Sequence, residues 1–235
     1  MRKNDEGHWW FLGMGEIMES VLNIFMNNRE DSKILDVGCG TGWFSKKLLK
    51  YGNVWALDME EIALDICRER GINNLVNADA AAVPFPDKTF DLIVCAEVLY
   101  HQFVDSDATV LKEFYRLLKP GGIVLVTVPA HSYLFGPNDK VNLTRRRYSK
   151  RQLESLFKTA GFKIRLISFF NFFLYPVAIA KKILEIFFPQ KNKSAIRTTP
   201  AVLNLFLFNL LKIEAFMIVR FGLPQGISLI CVGEK

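Results

Sequence analysis

The sequence is poor in the residues that build metal centres and covalent staples: 235 residues hold four cysteines and three histidines. Cys39, Cys67, Cys95 and Cys231 form no C-x-x-C pair and no Cys/His ligand spacing, so neither a metal site nor a disulfide framework is expected. Their apolar surroundings read instead as buried free thiols in a reducing compartment. A clean membrane span is missing too, since it needs about twenty apolar residues. The run that starts at residue 169 is broken by Asn171 and Pro176 and stopped by Lys181-Lys182. The run at 201–221 carries Asn204, Asn209, Lys212, Glu214 and Arg220. The opening Met1-Arg2-Lys3-Asn4-Asp5-Glu6 includes acids and leads to no small-residue cleavage site, so no secretory leader is expected. A cytoplasmic location, extending to the inner membrane surface, follows. Nor is one charge sign strongly dominant. The net charge is +6 with bases mostly interleaved among acids, which does not call for a nucleic-acid partner.

What is present is half apolar, enough for one continuous core plus an insertion. The most informative stretch is Ile34-Leu35-Asp36-Val37-Gly38-Cys39-Gly40-Thr41-Gly42. It reads as a buried strand turning sharply into a helix, with glycines where a β-carbon would block the turn or a ligand. Unpaired N–H groups at the helix start would suit a small molecule with anionic or polar groups. The spacing Gly38-x-Gly40-x-Gly42 is not the dinucleotide G-x-G-x-x-G, whose third glycine position holds Trp43 here.

Strand and helix signals then alternate to about residue 168. Strands are expected at 33–37, 53–57, 75–77, 90–96, 123–128 and 162–168, with a closing strand at 227–232. Helices are expected at 16–26, 60–70, 107–118 and 149–160, the last with a Ser149/Gln152 capping box and Gly161 at its end. Repeated strand–helix–strand units imply a parallel sheet that binds ligands beyond the carboxyl ends of its strands. Asp36, Asp58, Asp79 and Glu97 fall at four such ends and outline one rim. Residues 169–225 change character, with Phe169–Tyr175, Phe187-Phe188 and 201–221 rich in large apolar side chains and a basic linker at 190–199 between them. They read as an apolar helical insertion: a lid, a homodimer face, or an element resting on a membrane, where Lys181, Lys182, Lys191, Lys193 and Arg197 would meet anionic headgroups.

With these pieces in order, the chain resembles the Rossmann-like S-adenosylmethionine-dependent methyltransferases. The matching segments are ILDVGCGTG (34–42), ALD (56–58), NADAAAVPFPDKTFDLIVCAEVLYH (77–101) and EFYRLLKPGGIVLVTVP (113–129). A looser likeness, to a subfamily associated with glycan, lipid-linked or cell-envelope synthesis, lies in GHWWF (7–11), RRRYS (145–149) and GLPQGISLICVGEK (222–235). The resemblance implies an α/β, doubly wound, mostly parallel seven-stranded sheet with an antiparallel last strand. The methyltransferase domain would comprise 1–168 and 226–235, with 169–225 inserted between the last two strands. It implies S-adenosylmethionine as cofactor, S-adenosylhomocysteine as product, and a small-molecule or lipid-linked acceptor methylated on oxygen or nitrogen.

On that resemblance Asp36, Gly38, Cys39, Gly40 and Gly42 surround the methionine portion, with Asp36 orienting loop amides or a water. Asp58 takes the ribose hydroxyls, Met59 packs on adenine, Asp79 and Ala80 meet its amino group, and Glu97 lies near the sulfonium as either a ligand contact or a helix cap. An NAD-dependent oxidoreductase uses the same sheet and ribose acid but a different glycine spacing. A non-catalytic scaffold on this fold would not need the rim of acids.

Methyl transfer demands alignment and exclusion of water, and a base only when the acceptor must lose a proton. His101 after the fourth strand is the first candidate base and His131 after the fifth the second, each also readable as a histidine without chemical role. Trp9 and Trp10, with His8 and Phe11, precede the first expected helix and are either packing or a flap over the acceptor. Arg145, Arg146, Arg147 and Tyr148 are either a solvated run or an anion site for a phosphorylated or uronic acceptor, Arg146, Arg147 and Tyr148 being its contacts. The subfamily's Gly-His pair before its arginines is absent, Asn142-Leu143-Thr144 standing there instead.

Overall fold

The computed structural model describes residues 7–26, 31–187 and 199–235. Seven strands form one sheet in the order β3-β2-β1-β4-β5-β7-β6. They are β1 Ser32–Val37, β2 Gly52–Asp58, β3 Asn74–Asn77, β4 Phe90–Ala96, β5 Leu118–Pro129, β6 Lys163–Phe170 and β7 Ser228–Glu234. β1, β2, β3, β4 and β5 pair in parallel, and β7 runs antiparallel to both neighbours. The central strands are buried along nearly their whole length, as their unbroken Val/Ile/Leu runs require when both faces are covered.

Helices α1 Trp9–Met26, α2 Trp43–Leu48, α3 Glu61–Glu69, α4 Asp107–Leu117, α5 Pro137–Val141 and α6 Lys150–Ala160 accompany the strands. α4 begins where the Ser106 hydroxyl accepts from the Thr109 amide, and α6 where Ser149 and Gln152 cap each other reciprocally. The chain leaves β1 outward to β2 and β3, then returns to place β4 on the other side of β1. That reversal opens a crevice beyond the carboxyl ends of β1 and β4, where a doubly wound sheet holds its ligand.

Three local expectations change. α1 starts at Trp9, so the aromatic cluster is its first turn and not a free segment before it. β5 starts at Leu118, with a register shift against β4 that accommodates Lys119-Pro120-Gly121-Gly122 within the ladder. Phe169 and Phe170 are the last residues of β6, paired with Leu229 and Ser228 of β7. The segment after β5 contains a short 3-10 turn, Ser132–Leu134, and then α5.

Helices α7 Tyr175–Phe187 and α8 Ala201–Phe221 lie between β6 and β7. α8 packs on α1 so closely that a Cβ on Gly13 would sit 2.1 Å from Leu211 Cδ1. The start of α8 is tied to the start of α1: Trp9 donates its amide to Asn204 Oδ1 at 2.8 Å, and Asn204 Nδ2 donates to the Gly7 carbonyl at 2.9 Å. Buried Glu214 accepts the Phe173 amide at 3.1 Å, and burial pushes its carboxyl above the usual range. Lys191, Lys193 and Arg197 of the basic linker lie outside the described residues.

Candidate functional site

The glycine loop between β1 and α2 forms one wall of the crevice. Gly38 has φ +68° and faces β4 so tightly that a Cβ would lie 2.2 Å from Val98 Cγ2. Gly40 has φ +54°, and a Cβ there would meet nothing within 4 Å. Gly38 thus serves packing, and Gly40 leaves room above the loop.

The loop does not offer the anion cradle its glycines suggest. The amides of Gly38 and Cys39 both donate to the Leu57 carbonyl, at 2.7 and 3.0 Å. Gly40 donates to Asp58 Oδ2 at 2.9 Å, and Gly42 to the Cys39 carbonyl at 2.9 Å. These four amides are committed inside the protein. The ring of acids around the loop further disfavours a pyrophosphate and favours a ligand with positive charge.

Each acid has a distinct setting. Asp36 is buried and accepts the Ser45 hydroxyl at 2.5 Å, so it fastens α2 to β1 instead of orienting loop amides. Burial, reinforced by the charge of Asp58, pushes its carboxyl up to about 7. Asp58 takes over the loop-orienting task through Gly40 and also accepts the Glu60 amide at 3.0 Å. Each of its oxygens keeps a further acceptor direction for a hydroxyl donor. Met59 is 53% exposed beside it, a free apolar platform. Asp79 is exposed and accepts the Ala81 amide at 2.8 Å, and Ala80 is buried next to it. Asn77 Nδ2 braces the same corner by donating to the carbonyls of Asp58 and Met59 at 3.1 and 2.9 Å.

Glu97 follows β4 in a left-handed conformation, φ +59°. Its amide donates to Thr127 Oγ1 at 3.1 Å, which ties it to β5. Burial pushes its carboxyl up to about 7, against hydrogen bonds from Thr127 and Tyr100 and the charge of Arg147. Its Oε1 is buried and has no hydrogen-bond partner among the described residues.

Cys39 does not present its side chain to the crevice. Its sulfur lies under the loop, 3.5 Å from the Cys67 sulfur, in a small core with Ala56, Leu64 and Ile72. All four cysteines are free and buried.

Beyond β4 and β5 the chain folds back on itself. Arg145 donates its amide to the Tyr100 carbonyl, and Gln102 to the Leu143 carbonyl, each at 2.8 Å. Asn142-Leu143-Thr144 therefore joins the loop after β4, with Thr144 bridging to His101. His101 is partly buried beside Phe103, their ring centroids 4.8 Å apart. Burial lowers its pKa, and the charge of Asp58 partly offsets this.

His131 sits at the far side with φ +63°. Its ring stacks on Phe169 at 5.2 Å and 4°, with Tyr133 and Tyr175 at 5.0 and 5.3 Å. Burial lowers its pKa, helped by the charge of Arg147, so the ring is neutral near pH 7. Its Nε2 is buried and also lacks a partner among the described residues. The charge of Arg147 acts on both this ring and Glu97, opposing protonation of each.

The arginines are ion-paired and do not form a free anion site, and Arg146 remains exposed. Arg145 and Arg146 both pair with buried Asp107. Arg147 forks onto Asp139 at 2.9 and 3.2 Å and donates to the Ala130 carbonyl at 3.0 Å. Tyr148 is buried, its hydroxyl donating to Asp107 Oδ2 at 2.7 Å or to the Leu99 carbonyl at 3.1 Å. These residues clamp the segment between β5 and α6, each arginine being paired with a carboxylate and Asp107 serving two of them. A cavity of about 170 Å³ lies nearby between α5 and α7, with Asp139, Arg147, Lys181, Lys182 and Glu185 in its wall.

Trp9 and Trp10 belong to α1, packed edge to face at 5.8 Å and 88°. The neighbouring Phe11 meets Trp43, the first residue of α2, at 5.7 Å. The aromatic turn therefore abuts the helix that follows the glycine loop. Sequence reasoning missed Tyr100, Thr127, Asp107, Asp139 and the three rings around His131. Asp107 and Asp139 stand in first helical turns, so their sequence setting signals only a helix start.

Residues 35–126 match the family model described as a methyltransferase domain. A malonyl-[acyl-carrier protein] O-methyltransferase of Buchnera aphidicola is 33% identical over 144 residues, covering 60% of this chain and 56% of that protein. A ubiquinone/menaquinone biosynthesis C-methyltransferase of Neisseria meningitidis is 39% identical over 107 residues, covering 42% of this chain and 43% of that protein. A demethylmenaquinone methyltransferase of Geobacillus stearothermophilus is 36% identical over 121 residues, covering 47% and 51%. The chain thus spans about half the length of the curated relatives it matches.

Among solved structures, an S-adenosylmethionine-dependent methyltransferase of Thermotoga maritima superposes with a TM-score of 0.62 at 19% identity, covering 97% of this chain and 93% of that one. A Haemonchus contortus phosphoethanolamine N-methyltransferase, solved with S-adenosyl-L-methionine, gives 0.61 at 18% identity, covering 93% and 52%. The fold is that of the solved methyltransferases, and residues 35–126 match a methyltransferase domain.

Proposed function

We propose that this protein transfers a methyl group from S-adenosylmethionine to an oxygen or nitrogen of a small or lipid-linked acceptor. One observation carries the reading: a glycine loop whose amides are internally committed, open at Gly40 and ringed by carboxylates. That loop suits a nucleoside bearing a sulfonium and an ammonium group, and gives little to a pyrophosphate. Asp58 would hold the ribose, Met59 the adenine face, Asp79 and Ala80 its edge, and the loop at Gly38 and Gly40 the methionine end.

Bound there, S-adenosylmethionine supplies an activated methyl group on a good leaving group. The protein's remaining work is to orient the acceptor, exclude water and accept a proton where the acceptor carries one. Glu97 and His131 are the candidates for that last role. Each keeps an unpaired buried atom, and burial pushes the Glu97 carboxyl up to about 7 and the His131 ring below the usual imidazole range. His101, partly buried and acted on by the charge of Asp58, would contact the nucleoside side of the crevice. The arginines and Tyr148 act as the frame of the acceptor wall.

Titration calorimetry with S-adenosylhomocysteine and with NAD tests the reading. Binding of the first alone is expected. Binding of NAD without S-adenosylhomocysteine would overturn it. A methyl-release screen over lipid-linked sugars, quinone precursors and phenols then identifies the acceptor.

A further inference from the structure

α8 is apolar on two faces, and the protein covers one of them. Leu211, Ala215 and Ile218 face inward toward α1 and the core. On the opposite face Val202, Leu205, Phe206, Ile213 and Phe216 are exposed, Phe206 and Phe216 by 61% and 66%. Single exposed apolar residues need no explanation, but a stripe along a 21-residue helix does. α8 is also, among the described residues, the one helix long and apolar enough to cross a membrane by length and composition. It cannot leave α1 to do so without exposing Gly13 and Leu211 and breaking the Trp9–Asn204 bond.

Charge identifies what covers the outer face. Residues 171–222 hold seven basic and two acidic side chains, so nearly all of the chain's net +6 resides in this segment and the remainder is close to neutral. One of the two acids, Glu214, is turned into the core, and the other, Glu185, lies 3.7 Å from Lys181. Lys212 and Arg220 stand exposed on α8, with Lys212 Nζ over the Phe208 ring. Exposed large apolar side chains together with a local excess of cations match the interface of an anionic bilayer, into which such a helix sinks by about 5–10 Å. A second copy of the chain would bring cations against cations.

We propose that α8 rests in the plane of an anionic phospholipid surface through Phe206 and Phe216, with Lys212 and Arg220 at the headgroups. The proposal does not depend on the methyl-transfer reading, because vesicle binding is measured without activity. Co-sedimentation of the whole protein with phosphatidylcholine vesicles, with and without phosphatidylglycerol, tests it. Binding is expected with phosphatidylglycerol and should weaken in high salt. Replacing Lys212 and Arg220 by Gln should weaken it roughly twenty-fivefold, about fivefold per cation. Phe206→Asp with Phe216→Asp should abolish it while circular dichroism stays unchanged. Equal binding to both vesicle types, binding to neither, or variants that bind like the parent would overturn the proposal. So would self-association in sedimentation velocity that the aspartates abolish without any vesicle binding.

Discussion

The two sides of the crevice are built on different principles. On the side proposed for the cofactor, β1 ends in a loop whose Gly38, Cys39, Gly40 and Gly42 amides are matched with Leu57, Asp58 and Cys39. On the acceptor side, Glu97 and His131 each leave a buried polar atom unmatched, both hold positive φ, and rings surround one of them. The first side is finished before any ligand arrives, as suits a group that is always the same. The second keeps unsatisfied polar capacity, which is costly unless a ligand meets it. Shape is settled by backbone in one place and by side chains in the other.

The strongest way to break this contrast is Gly38→Val. The new side chain would collide with Val98 and demand a left-handed backbone from a β-branched residue, so a loss of up to about 5 kcal/mol is expected. Urea denaturation checks it. Gly40→Ala should lose far less stability, with its effect appearing in S-adenosylhomocysteine affinity, since its Cβ points into open space. Comparable destabilisation by both substitutions would erase the distinction between packing and ligand glycine.

Asp36 gives the next effect. Its folded-state pKa is raised, so the native state binds more protons than the unfolded state between about pH 4 and 7. Its contribution to stability therefore falls as pH rises through that window, by at most about 4 kcal/mol. Asp36→Asn should flatten the dependence, as seen in urea midpoints at pH 5 and pH 8. A variant as pH-sensitive as the parent would place the burden on Glu97, which is shifted in the same direction.

Asp58→Ala should weaken S-adenosylhomocysteine binding by about 1–3 kcal/mol, because it removes a hydroxyl acceptor and frees the Gly40 amide. Calorimetry reads the change, and an unaltered affinity would mean that the ribose is held elsewhere. The smallest effect is Tyr148→Phe. It strips the hydroxyl contacts to Asp107 and Leu99 at a cost of about 1 kcal/mol in thermal stability, with cofactor affinity unchanged. A selective loss of cofactor binding would show that the clamp reaches across the crevice.

Legibility in the sequence followed the same divide. Strand β4 and helix α6 could be read to the residue, because an unbroken buried run and a capping box are local signals. The four rim positions followed from strand ends. What could not be read was which partner each polar group would choose. Asp36 and Asp58 are both acids at strand ends, yet one fastens a helix through Ser45 and the other orients the loop through Gly40. Arg147 and Asp139 are eight residues apart, and their pairing depends on how α5 turns the chain. The aromatic turn at Trp9–Phe11 looked like a segment before the helix because its tertiary partners, Asn204 and Trp43, come from distant parts of the chain.

The sheet order carries a consequence for biosynthesis. β7 enters between β5 and β6, so β6 has no hydrogen-bonded neighbour until the residues from 228 onward have been made. α1 precedes α8 by most of the fold and likewise waits for it. Until then a nascent chain exposes an unpaired strand edge and an uncovered helix. Its decisive folding step falls after the ribosome has added β7, when one short strand closes both gaps in the sheet.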